Sequence, residues 1–384
     1  MPARAALRVA CVLGEPTPYR IPHLRALALR DEIDLTVVYA AATVQRRTWQ
    51  IEHAEAVYLS GPMLPLSRVL HHDYALTPGI WRLLERGRFD LVVVGGWSLM
   101  ATQLAIVWCR RRRVPYFLMS DNHLLEPRAL WVRAVKRMVL PRIVPQAAGW
   151  LVPGSLAQDH ILFYGATPER TLRFPLTIDV ERWARLCEQA RAERQTFRAR
   201  YGVGDDDVLV LHVGRLVAHK AVDTLLRGAA AAARRGANIQ VLVVGVGPDE
   251  AALRDLAAAL DVPVAFAGEL TTESLPTAYA AADVFALVSA RETWGVVVNE
   301  AATASLPLVL SAGVGAAADL LEPGQNGELV PAGDAEALGD ALLRLAGDPQ
   351  LRRRYGERSR ELVADWGYEP SVEAFVRVAK QVAR

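Results

Sequence analysis

Short, nearly unbroken apolar runs alternate with helically spaced segments along the whole chain. In the first half the runs are LRVACVL, IDLTVVYA, FDLVVVGG, VPYFLMS and GWLVPG; in the second they are VLVLHVG, IQVLVVG, VPVAFAG, DVFALVS and LPLVLS. Runs of this length without polar alternation suit parallel strands covered on both faces. Between them, Leu99–Arg113, Ala221–Arg235, Glu250–Leu260 and Thr272–Ala282 carry helical patterns. The alternation predicts an α/β protein built from doubly wound, Rossmann-like sheets.

So many strands overfill one compact sheet, and 384 residues accommodate two domains of ordinary size. Pro175 interrupts an extended segment in RFPLTIDVERW, and the polar stretch CEQARAERQTFRARYGVGDDD precedes the next strand. Domains are therefore expected over 1–175 and 180–365, with a C-terminal helix in 366–384 packing back toward the first. Two such domains facing each other bind ligands in a cleft at the carboxyl ends of their strands.

Composition narrows the function. Lys and Arg number 44 against 42 Asp and Glu, a net charge of +2, which argues against a dedicated nucleic-acid binder. Cys11, Cys109 and Cys187 lie far apart, with no disulfide or metal-ligand spacing, and fit a reducing cytoplasm. The opening MPARAALRVACVLGEP reads as a first buried strand rather than a signal peptide. No apolar stretch approaches the roughly 20 residues of a membrane helix.

Chemistry gathers at predicted strand ends. Arg215 and Lys220 follow VLVLHVG, in a loop where cations can hold a diphosphate or simply be solvated. Gly245 and Gly247 follow VLVV and permit a tight turn into a helix. The third glycine of a dinucleotide fingerprint is missing, since Glu250 stands there. SARETWGVVVNEAA then places Glu292 in a loop and Glu300 inside a helix. A carboxylate accepts from a pair of sugar hydroxyls, but a surface helix charge explains Glu300 equally simply; the spacing does not decide.

Taken in order, VGRLVAHK, VVGVGPDEAAL, FAGEL, AAADVFALVSARETWGVVVNEAATASLPLVLS and GQNGELV resemble the retaining glycosyltransferases of family 4. The resemblance implies the GT-B architecture and, residue by residue, a donor site. Arg215 and Lys220 match the pair holding the donor diphosphate. Glu292 and Glu300 match the Glu-x7-Glu motif, the first contacting the transferred sugar and the second the ribose. Thr293, Trp294, Gly295 and Val296 match the segment against sugar and diphosphate. Gly268, Glu269 and Leu270 match the strand end where the base is read, and Gly245 and Gly247 are carried as donor-binding. Gly14, in the other domain, is expected to approach the phosphates.

His123 matches a histidine-bearing segment near the reacting centre. Tyr19, Arg20, Trp97, Asp121 and Asn122 could line an acceptor site. Relatives commonly have Phe where Trp294 stands and Gly where Ala221 stands; Trp294 is expected to reshape the sugar pocket.

The implied activity is retaining, metal-independent transfer of a sugar from a UDP- or GDP-type donor, in polysaccharide, glycolipid or glycoconjugate biosynthesis. The donor is a substrate; no cofactor is implied, and no Asp-x-Asp suited to a diphosphate-bound cation is present. A nucleotide-sugar sensor and a sugar-nucleotide 2-epimerase are the competing functions. RALWVRAVKRMVLPRIV interleaves cations with apolar residues. It could rest on an anionic membrane, the inner face of the cytoplasmic membrane included, although packing on its own sheet is the simpler expectation.

Overall fold

The computed structural model describes residues 6–42, 53–66, 73–124 and 130–383. The chain divides into two compact units, one holding residues up to Leu176 and again from Tyr368, the other Thr177–Gly367.

In the first unit seven strands form one parallel sheet: β1 (Leu7–Leu13), β2 (Ile33–Tyr39), β3 (Val57–Tyr58), β6 (Leu91–Gly95), β7 (Tyr116–Met119), β8 (Gly149–Val152) and β9 (Thr171–Arg173), while β4 (Met63–Leu64) and β5 (Tyr74–Ala75) pair as a small hairpin. The sheet order is β3-β2-β1-β6-β7-β8-β9. Side chains alternate across it. Ala10, Val12, Val92, Val94, Leu118 and Trp150 are buried beneath α2 (Gly79–Gly87), α3 (Met100–Arg112) and α5 (Ser155–Phe163). Val9, Cys11, Leu91, Val93, Phe117 and Leu151 are buried on the opposite face, beneath α1 (Arg20–Ala28) and the last helix, Tyr368–Val382. Covering both faces is why these strands need no polar positions.

His23 on α1 locks the last helix in place. Its ring stacks on Phe174 at 3.9 Å and bonds Ser371 Oγ at 2.7 Å. One element departs from the expected packing: α4 (Leu130–Val139) buries none of its side chains. Arg128 and Ala129, which open the same basic-apolar run, lie outside the described residues.

The second unit has six parallel strands: β10 (Val208–Val213), β11 (Ile239–Val244), β12 (Val264–Gly268), β13 (Val284–Leu287), β14 (Leu308–Ser311) and β15 (Gly327–Val330). Their order is β12-β11-β10-β13-β14-β15. The polar stretch before β10 is helical, in α6 (Val180–Ala190) and α7 (Arg194–Arg200). Its arginines are structural: Arg194 and Arg198 both pair with Asp283, which also accepts from the Leu209 amide. α8 (Val222–Arg234), α9 (Glu250–Leu260), α10 (Leu275–Ala281), α11 (Val296–Thr303), α12 (Ala335–Gly347) and α13 (Pro349–Ala364) are its other longer helices, with one short helical turn at Ala317–Leu320.

The expected runs account for five strands in each half. β3 and β9 extend the first sheet and β15 the second; as edge strands they carry no unbroken apolar run (VY, TLR and GELV). Among the described residues, no helix is long and apolar enough to cross a membrane.

Candidate functional site

Each sheet reverses direction of growth once. From β10 the chain adds β11 and β12 on one side, then returns to lay β13, β14 and β15 on the other. The crevice outside the carboxyl ends of β10 and β13 is the position where open α/β sheets bind ligands. Two loops meet there, one after Val213 and one after Leu287.

The first loop makes a 3-10 turn over Ala218–Lys220, and the His219 carbonyl accepts from the Ala290 amide at 2.9 Å. That bond ties it to the second loop. Lys220 Nζ donates to Glu292 Oε2, and both side chains are largely buried. A partly desolvated ion pair of this kind is a charge-assisted hydrogen bond. Arg215 stands exposed beside it.

Ala221 follows in a left-handed conformation, φ 51° and ψ 42°. An L residue with a Cβ is strained there, and glycine is not. Ala221→Gly should therefore stabilise the protein by about 0.5–1 kcal/mol, the relief of strain less glycine's entropy. A rise in the urea midpoint measures it; a fall would show that no strain is stored there.

The second loop is clamped by backbone. The Glu292 amide donates to the Gly313 carbonyl at 2.8 Å, Gly315 donates to Glu292 at 2.9 Å, and Ala316 donates to Trp294 at 2.9 Å. A Cβ on Gly313 would lie 2.4 Å from the Ser289 carbonyl oxygen, and one on Gly315 2.1 Å from that of Thr293. These two glycines were not among the expected site residues, although SAGVGA carries them two apart. The clamp leaves Thr293 partly exposed and puts Gly295, φ 95°, at the N-cap of α11. Val296 begins that helix, whose first amides have no partner within it.

Trp294 does not face a sugar pocket. Its side chain is 3% exposed and stacks on Trp366 with centroids 5.1 Å apart. Its Nε1 donates to Asn299 Oδ1 at 2.9 Å, so both its face and its one polar atom are used inside the unit.

Glu300 is not a surface charge either. Its carboxyl is half-buried and accepts from the Tyr279 hydroxyl at 2.6 Å, while its carbonyl accepts from Trp183 Nε1 at 3.1 Å. Burial pushes its pKa up to about 7, and the Tyr279 bond pulls the other way. Tyr279 and Trp183 come from α10 and α6; neither carried a signal in the sequence. Glu292 and Glu300 thus stand on one loop-helix element but hold different partners.

Gly245 and Gly247 serve the site through backbone approach. A Cβ on Gly245 would lie 2.0 Å from the Gly214 carbonyl oxygen, and one on Gly247 2.1 Å from that of Leu216. The Leu216 amide donates to the Val246 carbonyl at 3.0 Å. Gly268 ends β12 with its carbonyl accepting from the Gly245 amide at 2.7 Å, followed by exposed Glu269 and half-buried Leu270. His212, under the Arg215–Lys220 loop, is held neutral by burial, its pKa lowered to about 4, and its Nδ1 donates to the Ala286 carbonyl.

In the first unit the corresponding switch lies between β1 and β6. Gly14 follows β1, its carbonyl accepting from Ala41 at 3.1 Å. Arg20, almost fully buried, reaches Asp121 at 3.4 Å and lies 5.6 Å from the Phe174 ring centre. Tyr19, at the N-cap of α1, and Asn122 are half-buried, and His123 is buried. Trp97 is stacked with His160 at 6.2 Å, with the Lys136 ammonium 6.0 Å above its ring. Arg20 with Asp121, and Trp97 with His160 and Lys136, are among the groupings formed here.

Residues 193–362 match the family model described as glycosyl transferases group 1. This stretch is a group 1 glycosyltransferase domain. It contains the whole of the Lys220–Glu292 site.

An alpha-D-kanosaminyltransferase of Streptomyces kanamyceticus is 35% identical over 45% of this chain and 45% of its own length. A D-inositol 3-phosphate glycosyltransferase of Saccharomonospora viridis is 27% identical over 90% of this chain and 84% of its own. The crystal structure of Anabaena HepE in complex with UDP matches with TM-score 0.74 and 18% identity, covering 98% of each chain. That of the lipopolysaccharide outer core galactosyltransferase WaaB matches with TM-score 0.70 and 15% identity over 98% of this chain and 99% of that one. These structural likenesses show the fold, which is GT-B.

Proposed function

We propose that the protein transfers a sugar from a nucleotide diphosphate sugar to an acceptor hydroxyl with retained anomeric configuration. The observation that carries this reading is the Lys220–Glu292 pair at the β10–β13 switch, on the loop that leads into the N-terminus of α11. A departing diphosphate needs cations and aligned amides where its charge develops. Arg215, Lys220 and the first amides of α11 supply both, and we place that charge on these groups rather than on a metal ion. Glu292 is suited to accept from hydroxyls of the transferred sugar, and Glu300 from the ribose.

The bond from the anomeric carbon to the diphosphate oxygen breaks as the acceptor oxygen bonds to that carbon on the same face. The acceptor proton passes to the leaving phosphate oxygen. Positioning and charge stabilisation supply the rate. The solved complex of HepE with UDP favours a uridine or similar base, and the sugar-transferring relatives favour a glycan, lipid-linked or small-molecule acceptor.

Nucleoside diphosphates test this directly. The matching one should stabilise the protein by about 2.7 kcal/mol at roughly a hundredfold excess over Kd. Its effect should depend on pH through Glu300. The folded pKa of that group lies above its ordinary value, so in the free protein its contribution to stability falls as pH rises from 4.5 to about 7. A ribose bound to the ionised carboxylate reverses the sign, and nucleotide stabilisation grows over that window. Glu300→Gln should flatten the difference. A thermal-shift titration at several pH values measures both, and no response to any nucleoside diphosphate would refute the reading. Incubation with a nucleotide sugar alone should give no epimerised nucleotide product.

A further inference from the structure

We infer that α4 is a membrane-docking helix, laying its apolar face on an anionic phospholipid surface. It carries the composition of a helix that packs on a sheet, yet it does not pack. Trp131, Val135 and Met138 are spaced four and three apart, which puts them on one stripe. That stripe is solvent-facing: Trp131 is 53% exposed, Val135 45% and Met138 59%, with Leu130 at the helix start 81% exposed. A run of large apolar side chains held in water marks an interaction surface rather than scattered exposure.

The helix is nevertheless anchored. Leu140 and Val144, just beyond its end, are buried in the first unit's core. Lys136, on the opposite side from the stripe, lies over the Trp97 ring. The outward orientation is therefore set by the fold.

Charge identifies the occupant. From Leu130 to Arg142 there are four cations, Arg133, Lys136, Arg137 and Arg142, and no Asp or Glu, in a chain whose totals are 44 against 42. An apolar stripe carrying tryptophan, on a helix whose other side bears cations without a counter-charge, matches the boundary between anionic headgroups and acyl chains. A second copy of the chain would bring the same cations against themselves. The inference does not depend on the proposed transfer reaction, because vesicle binding is read without turnover.

The full chain should co-sediment with vesicles of phosphatidylcholine and phosphatidylserine in equal parts, and at least about tenfold more weakly with phosphatidylcholine alone. Trp131→Ser combined with Met138→Ser should lose most of the binding. Arg133→Glu combined with Arg137→Glu should remove the preference for phosphatidylserine. All four positions are solvent-facing, so the unfolding midpoint should be unchanged in both variants. Lys136 is left intact because it touches Trp97. Undiminished vesicle binding by the Trp131/Met138 variant would overturn the inference. So would failure of the native chain to bind anionic vesicles, or a self-association in solution that the same substitutions abolish.

Discussion

Lys220→Ala should lower the rate of sugar transfer about a thousandfold while leaving the protein folded. Losing one preorganised group that meets developing charge costs roughly 10²–10³ in rate, and cations on a transferring phosphate are worth more. Lys220 is held in place from two sides. Its turn is tied to the β13 loop by the bond between the Ala290 amide and the His219 carbonyl, and its ammonium rests on Glu292. In the proposed reaction donor binding divides that pair, with the diphosphate taking the cation and the sugar hydroxyls the carboxylate. Glu292→Gln should thus impair transfer too, and the double variant should lose far less than the product of the two single losses, since the groups act together. Initial rates of product formation give these values, with circular dichroism and the unfolding midpoint as the check on folding. Turnover of Lys220→Ala within a few fold of the native enzyme would remove Lys220 from the reaction.

The parallel strands and their alternation with helices were legible because both sheet faces are covered, so each long strand is an unbroken apolar run. The switch-point loops were legible for the same reason: they begin where those runs stop, and Lys220 and Glu292 follow directly. What the sequence hid depends on distant partners. Glu300 is held by Tyr279, 21 residues away, and by Trp183, 117 residues away; a helical charge pattern looks the same with or without them. Helical periodicity shows which residues share a face but not what the face meets, so α4 read as a packed helix and proved open. Ala221 differed visibly from its relatives, yet only the backbone angle shows that strain accompanies the difference. Trp294 was the opposite case. Its departure from the family's Phe suggested an altered pocket, whereas its partner, Trp366, lies near the far end of the same unit.

Trp294→Ala should destabilise the second unit by about 3–5 kcal/mol, the range for emptying a buried aromatic site. Two contacts fail together. The stack on Trp366 is lost, Asn299 Oδ1 loses the indole donor, and Asn299 is then held only through its Nδ2 bond to Thr177 Oγ1 at 3.1 Å. Asn299 precedes Glu300 on α11, and Trp294 lies two residues beyond Glu292, so the lost packing adjoins both residues along the chain. Stability and donor binding should therefore fall together in the alanine variant. Trp294→Phe separates packing from substrate contact. It keeps a ring against Trp366 and removes the N–H, leaving a buried acceptor short of a partner at a cost of about 1–3 kcal/mol. If the indole only packs, the phenylalanine variant loses stability but keeps the native KM for the donor. A changed donor KM or sugar preference at unchanged unfolding midpoint would instead place Trp294 against the sugar, and the buried stack on Trp366 makes that outcome the unexpected one.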